Sequence, residues 1–348
     1  MDTQTRRRAK EHIMSWGSGG RRPAGAPGNA PATVVLADAR HLDAVRAGGL
    51  TGPGTLVFTP GSGEPRDGVV PYGGSLSEPG EDFALGEDFY LQTQDYASSA
   101  FMSVLGPTVL RIFGPADFSA FLTDADRAFT EGVFPEYLIT PAVLLADTAA
   151  LGGPSAADGP ALRLYADADG RVSLSPTGSP LGTVDDDLTT LLTRYEHINA
   201  ASEAPCAVSL AAAVPEEART AALQVRPFLG RYHAAVKALR AMTAQDIGGL
   251  NVSGFGHRLT DGLAASGAED DLLDPSLPLV LWNTAQAYVV AGGRVFAVDR
   301  SFAGAVECLL AAGPAASRFA PDHVLDQVRA FLTERGLALD TRTPAGAR

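Results

Sequence analysis

The stretch from Leu279 to Arg335 constrains this chain most. Leu279–Trp282, Gln286–Val290 and Arg294–Val298 read as three short strands. Gly292-Gly293 separates the last two. A tight primed hairpin turn needs such a dipeptide, because both of its central residues take positive φ. Two helical patterns follow. In Phe302–Leu310, Phe302, Val306, Leu309 and Leu310 mark one face, with Ser301 expected as the cap and Gly313 just past the end. In Asp322–Arg335, Val324, Leu325, Val328, Phe331 and Leu332 form an amphipathic stripe. Three strands followed by helices predict a winged-helix-like module over residues 275–340. Trp282, Tyr288, Phe296 and the two helix faces would close its core.

Modules of that shape commonly bind nucleic acid, and the charge argues against it here. Residues 275–340 hold five basic side chains (294, 300, 318, 329, 335) and six acidic ones (299, 307, 322, 326, 334, 340). Neutralising phosphate dominates nucleic-acid affinity, and this surface lacks the charge to do it. The whole chain carries a formal net charge of -13, which disfavours nucleic acid and anionic membranes as general partners. No apolar run approaches the roughly 20 residues of a membrane span. Cys206 and Cys308 stand far apart in apolar contexts, which predicts free thiols and a reduced, cytoplasmic setting. The Ala, Gly, Pro and Arg bias suits a high-GC bacterial genome.

A length of 348 residues and 45% apolar content suit about two folded domains. Residues 1–31, rich in Gly, Pro and Arg, read as a disordered tail, with Trp16 as its one exposed anchor candidate. Thr33–Asp38, His41–Ala47 and Thr55–Thr59 form a β-α-β opening, so residues 32–268 are expected to be a mixed α/β domain. Within it, residues 60–86 read as loop, and Asp117–Phe129 as a helix capped by Asp117. Pro141–Leu151 reads as a helix and Cys206–Val214 as a strand. Leu162–Ala166 and Val172–Leu174 read as strands joined by an Asp169-Gly170 turn. Asp185–Ala200 is expected to be helical. Pro215 opens a long helical stretch to about Thr243, interrupted near Pro227. An acidic linker at 269–274 leads into the module, and 341–348 is a tail.

Candidate chemistry in the first domain is sparse. The six histidines show no metal-ligand spacing. Ser253-Gly254-Phe255-Gly256-His257-Arg258 could present amides and an arginine to an anion, or could be a tight packing turn. An enzyme with its active site around Gly254, Gly256, His257 and Arg258 is therefore one alternative, and a winged-helix regulator is another. Cys206 with His197 or His233 would make a nucleophile pair, against the commoner buried, inert thiol. Arg111 and Arg231, in apolar surroundings, are expected to need carboxylate partners. Asp185-Asp186-Asp187 suits a helix start. No residue set implies a cofactor or a metal.

The remaining feature of the module is its edge. An extended peptide could pair with Arg294, Val295, Phe296, Ala297 and Val298 and lay side chains toward the last helix. Alternatively, that edge is covered by the chain's own first domain or by a second subunit.

The phrases VVAGGRVFAVDRSFAGAVECLL and VLDQVRAFLTERGLAL resemble the PqqD-like recognition element of RiPP biosynthesis, where RiPP denotes a ribosomally made, post-translationally modified peptide. The resemblance covers about 275–340. It implies a short middle helix between Gly313 and Pro321, for which Ala315–Phe319 remain. It also implies leader-peptide binding. Leu325, Val328 and Arg329 are expected on the helix that faces the pairing strand. FYLQTQDYASSAF, GPTVLRIFGPADFSAFLTDAD and VSGFGHRL are similar to recognition proteins of actinobacterial daptide biosynthesis. That similarity implies a non-catalytic scaffold that presents a precursor peptide to an oxidative decarboxylase and an aminotransferase. The cofactor chemistry would then belong to those partners.

Overall fold

The computed structural model describes residues 2–20, 22–26, 28–87, 89–154, 158–204, 206–263 and 273–337. The chain divides into two compact units. One comprises 1–123 and 140–226, the other 124–139 and 227–348. The first is mixed α/β on a large sheet, and the second carries a small antiparallel sheet and helices at the C-terminus.

The first unit starts where disorder was expected. α1 (Thr3–Ser18) is capped by the Asp2 carboxylate, which accepts from the Gln4 and Thr5 amides, and it ends at Gly19 with φ 66°. Ala9, Ile13 and Trp16 recur at i, i+4 and i+7 and are all buried. An Arg- and Gly-rich composition hid that spacing. Trp16 is 1% exposed, and its indole Nε1 donates to the Leu164 carbonyl at 2.9 Å, so it is a core residue rather than an exposed anchor.

Around α1 runs a ten-stranded sheet in the order β10-β9-β8-β1-β2-β3-β4-β5-β6-β7. The strands are β1 (Thr33–Leu36), β2 (Leu56–Pro60), β3 (Val69–Gly74), β4 (Asp82–Leu85), β5 (Phe89–Asp95), β6 (Thr108–Arg111), β7 (Val143–Leu145), β8 (Arg163–Ala166), β9 (Arg171–Ser173) and β10 (Gly182–Thr183). The expected β-α-β opening is present: β1 and β2 are parallel and joined through α2 (Leu42–Ala47). α1 touches both β1 and β7, which stand six places apart in the order. Ile13 and Trp16 pack with Val35, Phe58, Tyr72, Phe83, Leu91 and other inward side chains. On the opposite face, Val34, Leu36, Leu164 and Val172 pack with Val45 of α2 and Leu191 of α4 (Leu188–Ala200). Asp187 caps α4 by accepting from the Thr190 amide at 2.8 Å, as the acidic run suggested.

Several expectations fail locally. Residues 60–86 contain β3 and β4 despite their glycines and prolines. Pro141–Leu151 is not a helix. Val143–Leu145 is a strand beside β6, and Asp147 at φ 52° breaks helical continuation. Cys206–Val214 is not a strand: Cys206 sits at φ 59° and Ala207–Leu210 is a 3₁₀ turn. Asp117 lies inside the first turn of α3 (Pro115–Glu131) rather than at its cap, and its carboxylate accepts from the Phe113 and Ala97 amides. α5 (Glu216–Gln224) and α6 (Leu229–Thr243) flank the Pro227 break as expected.

His12 of α1 is expected to make the first unit acid-sensitive. Its Nδ1 lies 3.1 Å from the Ala32 carbonyl and 2.9 Å from Thr33 Oγ1. A carbonyl only accepts, so Nδ1 carries the hydrogen and Nε2 holds a lone pair. Nε2 is buried with no partner among the described residues. Burial first, and then the Arg8 charge, push the pKa from 6.5 down to about 4. The unfolded chain takes up this proton below about pH 6.5, the folded chain only near pH 4. The contribution is therefore full above pH 6.5, shrinks as pH falls, and is gone below about 4. It amounts to about 3 kcal/mol at most. His12→Asn, which can keep the Ala32 bond but cannot titrate, is expected to flatten the fall in Tm between those pH values. An unchanged slope would assign the acid sensitivity to other groups.

Candidate peptide-docking edge

The second unit is built on four antiparallel strands, β11 (Asn251–Val252), β12 (Leu279–Trp282), β13 (Ala287–Ala291) and β14 (Arg294–Val298), paired in that order. β11 belongs to this sheet, so the Gly-rich segment expected to close the first domain is structurally part of the second unit. The linker expected at 269–274 lies outside the described residues except for Leu273 and Asp274. The same holds for the module's last residues, 338–340, and the tail 341–348.

The Gly292-Gly293 turn is present with φ 55° and 74°, the primed geometry. α7 (Arg300–Ala312) follows. Its cap is Asp299, not Ser301: the Asp299 carboxylate accepts from the Phe302 amide at 2.8 Å and from the Ser301 hydroxyl at 2.6 Å. Gly313–Arg318 form a 3₁₀ stretch where the short middle helix was expected, and α8 (Asp322–Glu334) closes the described unit.

Register decides what the border offers. Ala291 pairs with Arg294 across the turn, then Val290 with Val295, Val289 with Phe296, Tyr288 with Ala297 and Ala287 with Val298. The pair closing a two-residue turn exchanges hydrogen bonds, and bonded and non-bonded pairs then alternate. Arg294, Phe296 and Val298 thus spend their backbone groups on β13. Val295 and Ala297 turn theirs outward. β14 is the last strand of its sheet, so among the described residues no strand meets those groups. The other border, at β12, is covered by β11.

Side chains alternate in step. Phe296 points toward α8, where its ring meets Phe331 edge-on at 5.4 Å. Phe302 meets Phe331 at 5.1 Å, and the Arg335 guanidinium lies 3.8 Å over the Phe331 ring. Leu337 lies against the hairpin, where a Cβ on Gly292 would come 3.2 Å from its Cδ2. Tyr288, expected in the same core, sits half-buried on the opposite face with Val295 and Ala297.

The expected site residues therefore separate. Arg294 and Ala297 are exposed, and Val295, Phe296 and Val298 are partly buried. Leu325 and Val328 are 1% and 0% exposed and belong to the unit's own core, so they are not available to a peptide. Arg329 is exposed but pairs with Asp326 at 2.8 Å. The helix residues that approach β14 are Phe331 and Arg335. They stand three and seven residues beyond Val328 in the sequence, and that spacing was the available signal.

The residues flanking the Gly254–Arg258 loop hold a carboxylate, and it is the chain's own. Glu307 of α7 is fully buried. Its Oε1 accepts from Ser253 Oγ at 2.5 Å and the Leu259 amide at 2.8 Å, and its Oε2 from the Thr260 amide at 2.7 Å. Arg258 donates to Ser253 Oγ at 3.2 Å. The Gly254 and Gly256 amides donate to the His257 and Phe129 carbonyls. A Cβ on Gly256 would fall 2.3 Å from the Gly132 nitrogen. The loop is a packing turn rather than an open phosphate cradle.

Other candidates are also structural. Arg111 pairs with Asp147 at 2.9 Å, and Arg231 donates to the Leu277 and Pro278 carbonyls. Cys206 lies 4.0 Å from the Tyr195 hydroxyl, and burial pushes its thiol up to about 11, far from a reactive thiolate. Among the described residues, no three His, Cys, Asp or Glu side chains group as metal ligands. No described helix is long and apolar enough to cross a membrane. Comparison with protein-family models, with curated proteins and with solved structures found no match.

Proposed function

We propose that the C-terminal unit is a winged-helix-like recognition module that takes up the leader of a ribosomally made precursor peptide as an added strand beside Arg294–Val298. One observation carries this reading: β14 ends its sheet, with the main-chain groups of Val295 and Ala297 directed outward. Strand addition uses such groups for affinity and flanking side chains for selection. Native edges are usually blunted by proline, lysine or a bulge, and β14 has none of these. Arg294 and Arg335 flank the edge and would favour acidic leader side chains. The resemblance to PqqD-like elements supports the same reading, with the chain as a scaffold for modifying enzymes such as an oxidative decarboxylase and an aminotransferase. A dissociation constant in the micromolar range, about −8 kcal/mol, fits one short docked strand.

The register supplies a sharp test. Proline at 297 removes an outward N–H and no bond to β13, whereas proline at 296 removes a ladder bond. Fluorescence anisotropy of the full chain would use the labelled leader of a short precursor encoded beside its gene. Ala297→Pro is expected to weaken binding by at least about tenfold while leaving Tm near wild type. Equal affinity in Ala297→Pro would sink strand addition.

A further inference from the structure

We propose a second interaction surface in the first unit: the crossover between β5 and β6 is a docking knob for another protein, one with an apolar face bordered by Lys and Arg. This surface is separate from the β14 edge and does not depend on peptide uptake there.

β5 and β6 are parallel neighbours, so the chain must cross between them, here through residues 96–107. At the crest Phe101 is 91% exposed, Leu105 93% and Met102 45%. Single exposed apolar residues are ordinary, but three within one short crossover form a patch of the kind that marks contact sites. The crest is also firmly rooted. Tyr96 is buried against Phe121 with ring planes at 85°. Asp117 holds the Ala97 amide at 3.0 Å, and Asp95 holds the Ser98 amide at 2.8 Å through its carboxylate and the Ser99 hydroxyl at 2.7 Å through its carbonyl. At the far end Gln92 donates its amide to the Pro107 carbonyl at 2.9 Å. A loop pinned at both ends displays its tip at little further ordering cost on binding.

Charge selects the occupant. From Asp67 to Leu110 the sequence has no Lys or Arg. Glu78, Glu81 and Asp82 are exposed, and Asp82 pairs with Gln92, the β5 residue whose amide meets the Pro107 carbonyl where the crossover returns. An apolar knob beside carboxylates matches an apolar face with a basic border. The same carboxylates repel anionic lipid. A second copy of a chain with net charge -13 would bring like charge to the contact.

The test uses the full chain and a synthetic amphipathic helix with a leucine face bordered by lysines. A counterpart bordered by glutamates, zwitterionic lipid vesicles and sedimentation of the protein alone complete it. The lysine-bordered peptide is expected to bind, to weaken with added salt, and to lose at least about tenfold in affinity with Phe101→Ser/Leu105→Ser. The triple variant Glu78→Gln/Glu81→Gln/Asp82→Asn should weaken it independently. The glutamate-bordered peptide should not bind. Because the crest side chains are exposed, the serine variant should melt with wild type. Equal peptide affinity in both variants would overturn the proposal. So would vesicle binding or self-association that the serine substitutions abolish, since either would name a different occupant.

Discussion

Glu307→Ala is expected to destabilise the C-terminal unit by about 3–5 kcal/mol, because it strips several buried donors of their acceptor at once. The Ser253 hydroxyl and the Leu259 and Thr260 amides all point at this carboxylate, which is 0% exposed. The cavity left behind adds to the loss. Glu307→Gln keeps the volume and one carbonyl oxygen, but turns an NH₂ toward a donor, so it should fall between alanine and wild type. Urea unfolding gives the stability change, and hydrogen exchange gives its place: the Leu259 and Thr260 amides should lose protection before those of α8. A change within about 0.5 kcal/mol, the range of ordinary surface substitutions, would show that these groups find water or other partners.

That carboxylate also shows where sequence reading stops. The hairpin was legible because Gly292-Gly293 permits only a few turn geometries, and the border followed from strand order. Strands β12 to β14 and helices α7 and α8 lie close to their expected positions for the same reason: period and punctuation agree there. Glu307 reads as one more charge on a helix. Only the fold shows that α7 is buried on that side and that a loop more than forty residues earlier in the chain points amides into it. α1 was hidden differently. Its three arginines and nearby glycines outweighed the Ala9, Ile13, Trp16 spacing, and the tertiary burial that stabilises a short helix cannot be seen locally. β7 failed because Val143-Leu144-Leu145 fits either period, and parallel pairing with β6 decided it. On the candidate site, the edge strand was legible, but the residues beside it at the end of α8 are Phe331 and Arg335 rather than Leu325 and Val328. Leu325 and Val328 mark the stripe's most buried line, and Phe331 and Arg335 mark its margin, which is where a docked chain would pass.

Arg163→Met is expected to be the most damaging single change in the first unit, about 3–5 kcal/mol. Arg163 is 0% exposed. Its Nε and Nη2 form a fork on Asp158 at 2.7 and 2.8 Å, Nη2 also reaches Asp147 at 2.8 Å, and Nη1 donates to the Trp16 carbonyl at 3.1 Å. Burial alone would lower its pKa, but the Asp158 and Asp147 charges more than reverse this and hold it above the ordinary arginine value. Arg111, on the other side of Asp147, is pushed the opposite way, chiefly by burial. Two guanidinium and two carboxylate groups thus balance in the buried interior, and removing one cation leaves a net buried negative charge. Methionine is the right probe because it fills volume without charge. The companion variant Arg163→Met/Asp158→Asn restores the balance and should recover part of the loss. The Trp16 contact adds a local readout. With Arg163 gone, α1 should become more accessible to protease before the sheet unfolds. A double variant no more stable than Arg163→Met would show that the loss comes from the packing of the long side chain and not from the unpaired carboxylates.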